Sequence, residues 1–308
     1  MKTLDLLQKI TAFPAVSGNE TGLIRFLRSE AEKLGTKVKI DSFGNLVCQK
    51  GDGYELAVFA HVDKVGFKIS KIGKKLEVVG LFDEVEEKVA TGKKSNVVIF
   101  GQNYPQYASL VKQKNKIELV KSSKRGVEIG DTVTYQPNFQ IKSGKILSQG
   151  LDNGLGVVAA LHFLKYLKIG TVVFSTQEEM GFYGAQAAAK YLKPKKVLII
   201  DTTYADDPRS DVKLGGGVVF CVKDNFLSDK KMLATAKNIC KVNGFKFQVE
   251  VLVSGKSDIA GVYSGYGVVP HLFIGIPIKN MHTSQEIAAH EDLEIAIKFL
   301  KIFASCFG

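Results

Sequence analysis

Four short apolar runs, each leading into residues able to do chemistry, constrain this chain more than any other feature. Leu56 to Ala60 runs into His61-Val62-Asp63, Thr171 to Phe174 into Gln177-Glu178-Glu179, and Val197 to Ile200 into Asp201. Leu272 to Ile276 leads through Pro277 to Met281-His282. Short β-branched runs of this kind read as buried strands, and helical stretches such as Leu155 to Leu167 and Ile287 to Phe303 alternate with them. The expected fold class is α/β, a mostly parallel sheet flanked by helices. Ligands of such sheets bind beyond the carboxyl ends of the strands, where these polar residues collect.

Near the N-terminus, Ser17 and Glu20 have the spacing of a capping box, and Leu23, Ile24, Leu27, Ala31 and Leu34 recur at helical intervals until Gly35. A strand to Ile40, the turn Asp41-Ser42-Phe43-Gly44-Asn45 and a second strand follow. Residues 68–147 break the α/β rhythm with short strand-like pieces: Leu76 to Val79, Asn96 to Phe100, Lys116 to Val120 and Asp131 to Tyr135. They read as a small β domain inserted into a catalytic domain made of residues 1–67 and 148–308.

Composition removes several classes of function. Of 42 basic residues only Arg25, Arg28, Arg125 and Arg209 are arginines, so the net charge of +11 is a lysine charge. Arginine is the better bidentate reader of phosphate and guanine, which argues against a nucleic-acid partner. Residues 68–147 carry 14 Lys and one Arg against eight acidic residues, most of that excess. No apolar stretch approaches the roughly 18–20 residues of a membrane helix, and the start Met-Lys-Thr-Leu-Asp is unlike an export signal. Cys48, Cys221, Cys240 and Cys306 form no Cys-x-x-Cys pair. A cytoplasmic protein without a membrane partner is expected.

Each chemical candidate has a plainer reading. His61 could bind a metal with Asp63 fixing its ring, or be structural. Asp152, ahead of an apolar helix, could serve an ion or act as an N-cap. Glu178 and Glu179 could divide metal binding and proton transfer between them, or lie in a solvated acidic loop. Asp201 is a ligand or a turn residue, and His282 stands as His61 does. His162, His271 and His290 read as structural. Together, two imidazoles and three carboxylates, with a fourth carboxylate beside one of them, suit two divalent ions that activate water for hydrolysis.

At this point the sequence resembles the glutamyl and tetrahedral (deblocking) aminopeptidases, dinuclear metallo-exopeptidases. The resemblance covers nearly the whole chain. It is carried by Val16-Ser17-Gly18-Asn19-Glu20, Asp41-Ser42-Phe43-Gly44-Asn45, Ala60-His61-Val62-Asp63, Gly130-Asp131, Leu151-Asp152-Asn153, Gln177-Glu178-Glu179-Met180-Gly181, Asp201, Ser257-Asp258 and Ile276-Pro277 with Met281-His282. It implies that Asp152 bridges two metals, zinc or cobalt, that His61 and Asp201 complete one site, and that Glu179 and His282 complete the other. It also implies Glu178 as general base and Asp63 as the residue orienting His61.

Family members form closed oligomers, often dodecamers, with the insert at subunit contacts, so a homo-oligomer acting on short peptides is expected. Four places depart from the family pattern: Lys64 where glutamate is common, Gly154 where arginine is usual, Ile278-Lys279-Asn280 where an arginine and an aromatic residue are common, and Gly215-Gly216-Gly217 without the usual proline. No proposed ligand is lost. The expected function is aminopeptidase, against a dinuclear carboxypeptidase or deacylase, or a non-catalytic basic binding protein on the same fold.

Overall fold

The computed structural model describes residues 2–307 except 53–54, 102–104, 115, 209–210 and 253–254. Helices α1 (Thr3–Ala12) and α2 (Thr21–Glu32) precede strands β1 (Lys37–Ile40), β2 (Leu46–Lys50) and β3 (Leu56–His61). Next come β4 (Phe67–Ile72), β5 (Leu76–Gly80), α3 (Asp83–Lys88), β6 (Lys94–Phe100), β7 (Pro105–Gln113), β8 (Lys116–Val120) and β9 (Thr132–Tyr135). The chain returns through β10 (Gln140–Lys142), β11 (Lys145–Ser148), α4 (Leu151–Tyr166), β12 (Gly170–Ser175), α5 (Tyr183–Leu192) and β13 (Lys196–Tyr204). It ends with β14 (Val218–Lys223), α6 (Lys230–Asn243), β15 (Phe247–Val251), α7 (Asp258–Gly265), β16 (His271–Lys279), β17 (Glu286–Ala289) and α8 (His290–Ala304).

Eleven strands form one sheet, ordered β1-β2-β12-β3-β13-β16-β17-β11-β10, with β14 and β15 branching from β16. The sheet is mixed, not mostly parallel. Among the described residues, only β12, β3, β13 and β16 at its centre, and the β14–β15 pair, run parallel. Both flanks are antiparallel because short connections fold back directly: β1 on β2, β10 on β11, β16 on β17. The central strands are buried on both faces, which explains their unbroken apolar runs. Helix α4 is apolar on all sides, so it lies between the sheet and helices α1 and α8.

Strands β4 to β9 close into a separate six-stranded barrel, ordered β4-β5-β8-β7-β6-β9. Its own core includes Phe67, Ile69, Leu110, Leu119 and Val133. The expected insert at 68–147 runs beyond it, because the barrel ends at Tyr135 while β11 pairs with β17 of the large sheet.

Several local expectations are corrected. Helix α1 has no counterpart in the sequence reading. The capping box does not form: α2 begins at Thr21, Ser17 Oγ donates to Asp63 Oδ2 at 2.6 Å, and Glu20 Oε1 accepts from the Gly18 and Gln177 amides. Asp201 does not end its strand, since β13 continues to Tyr204. Residues 287–289 belong to β17, and α8 starts at His290.

Candidate metal centre

The parallel centre of the sheet fixes where the chemical residues meet. Ser175 lies level with His61, and Asp201 level with Gly275, so β3, β12, β13 and β16 present their carboxyl ends along one edge. His61 is the last residue of β3, and Asp201 faces the same edge from β13. Glu178 and Glu179 follow β12 in a tight turn, and His282 follows β16. Asp152 enters from the start of α4.

Asp152 lies between the two imidazoles. Its Oδ1 is 3.4 Å from His61 Nε2, and its Oδ2 is 3.1 Å from His282 Nε2. Asp201 Oδ1 is 3.3 Å from His61 Nε2, and Glu179 Oε2 is 3.4 Å from His282 Nε2. Glu178 Oε2 stands 4.0 Å from His61 Nε2. Three overlapping groups, His61-Asp152-Asp201, His61-Glu178-Glu179 and Asp152-Glu179-His282, have donor atoms within 4.8 Å of one another. All five residues expected as ligands, and Glu178, therefore converge.

Neighbouring groups hold this arrangement. The Asp152 side chain does not cap α4; it accepts from Thr202 Oγ1 at 2.8 Å, and Asn153 Oδ1 caps the helix by accepting from Gly156 N at 2.9 Å. His61 Nδ1 lies 3.0 Å from the carbonyl oxygen of Asp63, whose carboxylate is 3.6 Å away. Asp63 therefore orients the ring through its backbone, while its carboxylate accepts from the Glu178 and Glu179 amides at 3.0 and 3.2 Å. The glutamate pair lies in a fixed turn, not a solvated loop. Asn45 pins the base of that turn by accepting from Thr176 N and donating to Gly184 O.

The sequence reading missed Thr202 and Glu286, gave Ser17 a helix-capping role, and expected the insert at subunit contacts and substrate access without naming the residues that reach the cluster. Phe82 packs edge-on against His282 with ring centroids 5.5 Å apart, and Glu84 of α3 stands 3.6 Å from His282 Nδ1. A cleft of about 430 Å³ opens beside the cluster, with Phe82, Phe182, Tyr204, Asp224, Phe273 and Met281 in its walls.

The electrostatics fit cations. Burial pushes Asp152 up, but the imidazoles of His282 and His61 outweigh it and hold the carboxyl below the usual range. Burial pushes Glu179 up to about 8, with Asp152 adding to the rise, and pushes Glu178 and Asp201 up as well. These shifts reflect carboxylates crowded together out of water without enough positive charge. Among the described residues, the buried atom Glu179 Oε1 has no hydrogen-bond partner. Mixed imidazole and carboxylate donors, a carboxylate between two imidazoles and an unspent buried carboxylate oxygen all fit divalent metal ions.

The family profile described as M42 glutamyl aminopeptidase matches residues 44–299. The chain belongs to this family. It is accordingly an aminopeptidase, a hydrolase. A relative in Acetivibrio thermocellus is 29% identical over 321 residues, covering 96% of each chain. The lysyl aminopeptidase of Pyrococcus furiosus is 26% identical, covering 96% of this chain and 95% of its own. Among solved structures, the Pyrococcus horikoshii TET1 peptidase, described as assembling into a tetrahedron or a large octahedral shell, superposes with a TM-score of 0.85. It is 25% identical, over 98% of this chain and 99% of its own. Among the described residues, no helix of this M42 aminopeptidase is long and apolar enough to cross a membrane.

Two family departures have a packing explanation. Lys64 is buried, and its Nζ donates to Thr11 O at the end of α1 and to Gln149 Oε1 at 2.9 and 3.1 Å. A Cβ on Gly154 would lie 3.3 Å from Thr11 Cγ2 and 3.4 Å from Leu7 Cδ1, so glycine lets α1 press close against α4. At the third departure, Lys279 pairs with Asp206 at 2.6 Å on the surface. At the fourth, the amides of Gly215 and Gly217 donate to Asp292 at 2.8 and 2.7 Å.

Proposed function

We propose that this aminopeptidase removes N-terminal residues from short peptides with the aid of two divalent ions, zinc or cobalt. Asp152 would be shared between them, His61 and Asp201 would complete one site, and Glu179 and His282 the other. The observation that carries this reading is the Asp152 carboxylate set between His61 Nε2 and His282 Nε2, one oxygen toward each. Ions held there would polarise the scissile carbonyl and make water a stronger nucleophile near neutral pH.

The protein supplies the rest. Glu178 would take a proton from the attacking water and deliver it to the departing amine. Its backbone amide is tied to Asp63, so the turn keeps the carboxylate facing the cluster. Glu179, tied to the same carboxylate, points toward His282. The carboxylate-rich cleft suits the terminal ammonium of a peptide and sets its first carbonyl beside the cluster.

Assembly belongs to the same proposal. We read the chain as one subunit of a closed homo-oligomer of the dodecamer kind, with the barrel controlling subunit contact and access. Similarity to a shell-forming peptidase supports this, as does the reach of Phe82 and Glu84 from the barrel region to His282. Free cysteines, three of them buried, suit a reducing cytoplasm.

Matched peptides test the reaction. The metal-loaded enzyme should cleave a peptide amidated at its C-terminus and spare the same peptide acetylated at its N-terminus. Cleavage of the acetylated peptide alone would replace the aminopeptidase by a carboxypeptidase or deacylase.

A further inference from the structure

We infer that Glu286 is a positioning residue that sets the distance between Asp152 and His282 by holding the backbones of both with one carboxylate. The inference rests on the proposed metal site. Glu286 Oε2 accepts from Leu151 N at 2.7 Å and Asp152 N at 3.2 Å, and Oε1 accepts from His282 N at 2.8 Å. Two segments about 130 residues apart in sequence are thus joined at the residues that would bind metal.

The large sheet frames this carboxylate. Glu286 opens β17, which lies between β11 and β16. Its backbone is level with Ser148 of β11, the strand that leads into Asp152, and the next residue, Ile287, is level with Lys279 of β16, the strand that leads to His282. One side chain therefore reads both approaches from a fixed point. It is 2% exposed, so water does not compete for its oxygens.

His282 gives an independent reason for the clamp. Its φ is 64°, in the left-handed region that residues other than glycine avoid. That conformation turns the amide toward Glu286 and the ring toward Asp152 and Glu179, and the accepted hydrogen bond holds it there. Asp63 does for the Glu178-Glu179 turn what Glu286 does for Asp152 and His282. Two buried carboxylates outside the proposed ligand set thus fix, through main-chain amides, four residues of the cluster.

The test is a cobalt(II) titration of metal-stripped protein, followed by visible absorption and by calorimetry, for wild type, Glu286→Gln and Glu286→Ala. Melting temperatures of the stripped proteins are measured alongside. Loss of the clamp should weaken cobalt binding roughly 10–100-fold and change the absorption band as the donor geometry loosens. Glu286→Gln should recover part of this, because its amide oxygen can still accept from one segment while its NH₂ faces the donors of the other. A merely structural role would lower the melting temperature and leave cobalt affinity and spectrum at their wild-type values, which overturns the inference. Should Glu286→Ala fail to fold, Glu286→Gln decides alone, with unchanged affinity again the contrary result. Failure of wild type to take up cobalt would instead remove the metal reading itself.

Discussion

Glu178 and Glu179 are neighbours in sequence with different surroundings, and that difference separates their tasks. Glu179 Oε2 faces His282 Nε2 at 3.4 Å, while Glu178 stands at the edge of the cluster, 4.0 Å from His61 Nε2. Glu178→Gln should therefore keep the metals and lower turnover about 10²- to 10⁴-fold, the usual worth of a general base. Metal analysis beside rate measurements checks both halves, and near-normal turnover would reassign the base. Lys64 is buried; desolvation pulls its amine down to about 7, and the nearby buried carboxylate of Glu286 pulls the other way. Lys64→Glu, which restores the common family residue, would leave two buried carboxylates together while Gly154 supplies no cation. Urea unfolding should show a loss of about 3–5 kcal/mol, the scale of an unpaired buried charge. An unchanged unfolding midpoint would mean that water reaches this position.

Among the elements, the turn after β12 depends on close contact with the turn that ends at Asn45. A Cβ on Gly184 would fall 2.3 Å from Thr176 O and 2.5 Å from Asn45 Oδ1, both in the support of the Glu178-Glu179 turn. Gly184→Ala should cost about 1–3 kcal/mol by overpacking and reduce kcat together with stability. Gly22→Ala is the contrast, since its Cβ would meet Phe13 at an ordinary 3.6 Å inside α2. It should stabilise by up to about 1 kcal/mol without changing turnover. Thermal unfolding and kcat for both variants check the pair. The strands that carry the site were legible because burial on both faces leaves continuous apolar runs, each broken where the backbone meets the cleft. Strands β10, β11 and β17 were not, because elements of three or four residues have little periodicity of their own; helix α1 buries Leu6, Leu7, Ile10 and Thr11 at helical spacing, a pattern that the sequence reading passed over. Asp63 shows the same limit at a single residue. Its sequence position announced a partner for His61, but only the fold shows that the ring meets its carbonyl while its carboxylate holds the glutamate turn.

For the whole molecule, the barrel and the mixed sheet keep separate cores, yet the barrel region reaches the cleft through Phe82 and Glu84. A subunit contact made by the barrel would thus lie close to the entrance of the active site. Light scattering at moderate salt should find a closed assembly near twelve subunits, and a strictly monomeric particle would refute that part of the proposal. Whether two metal ions share the Asp152 carboxylate can be read from the metal content of purified chains. Wild type should carry two equivalents per chain, His282→Ala about one, and Asp152→Ala close to none, because losing the shared ligand weakens both positions at once. Two equivalents retained by Asp152→Ala would mean that this carboxylate is not shared between the ions.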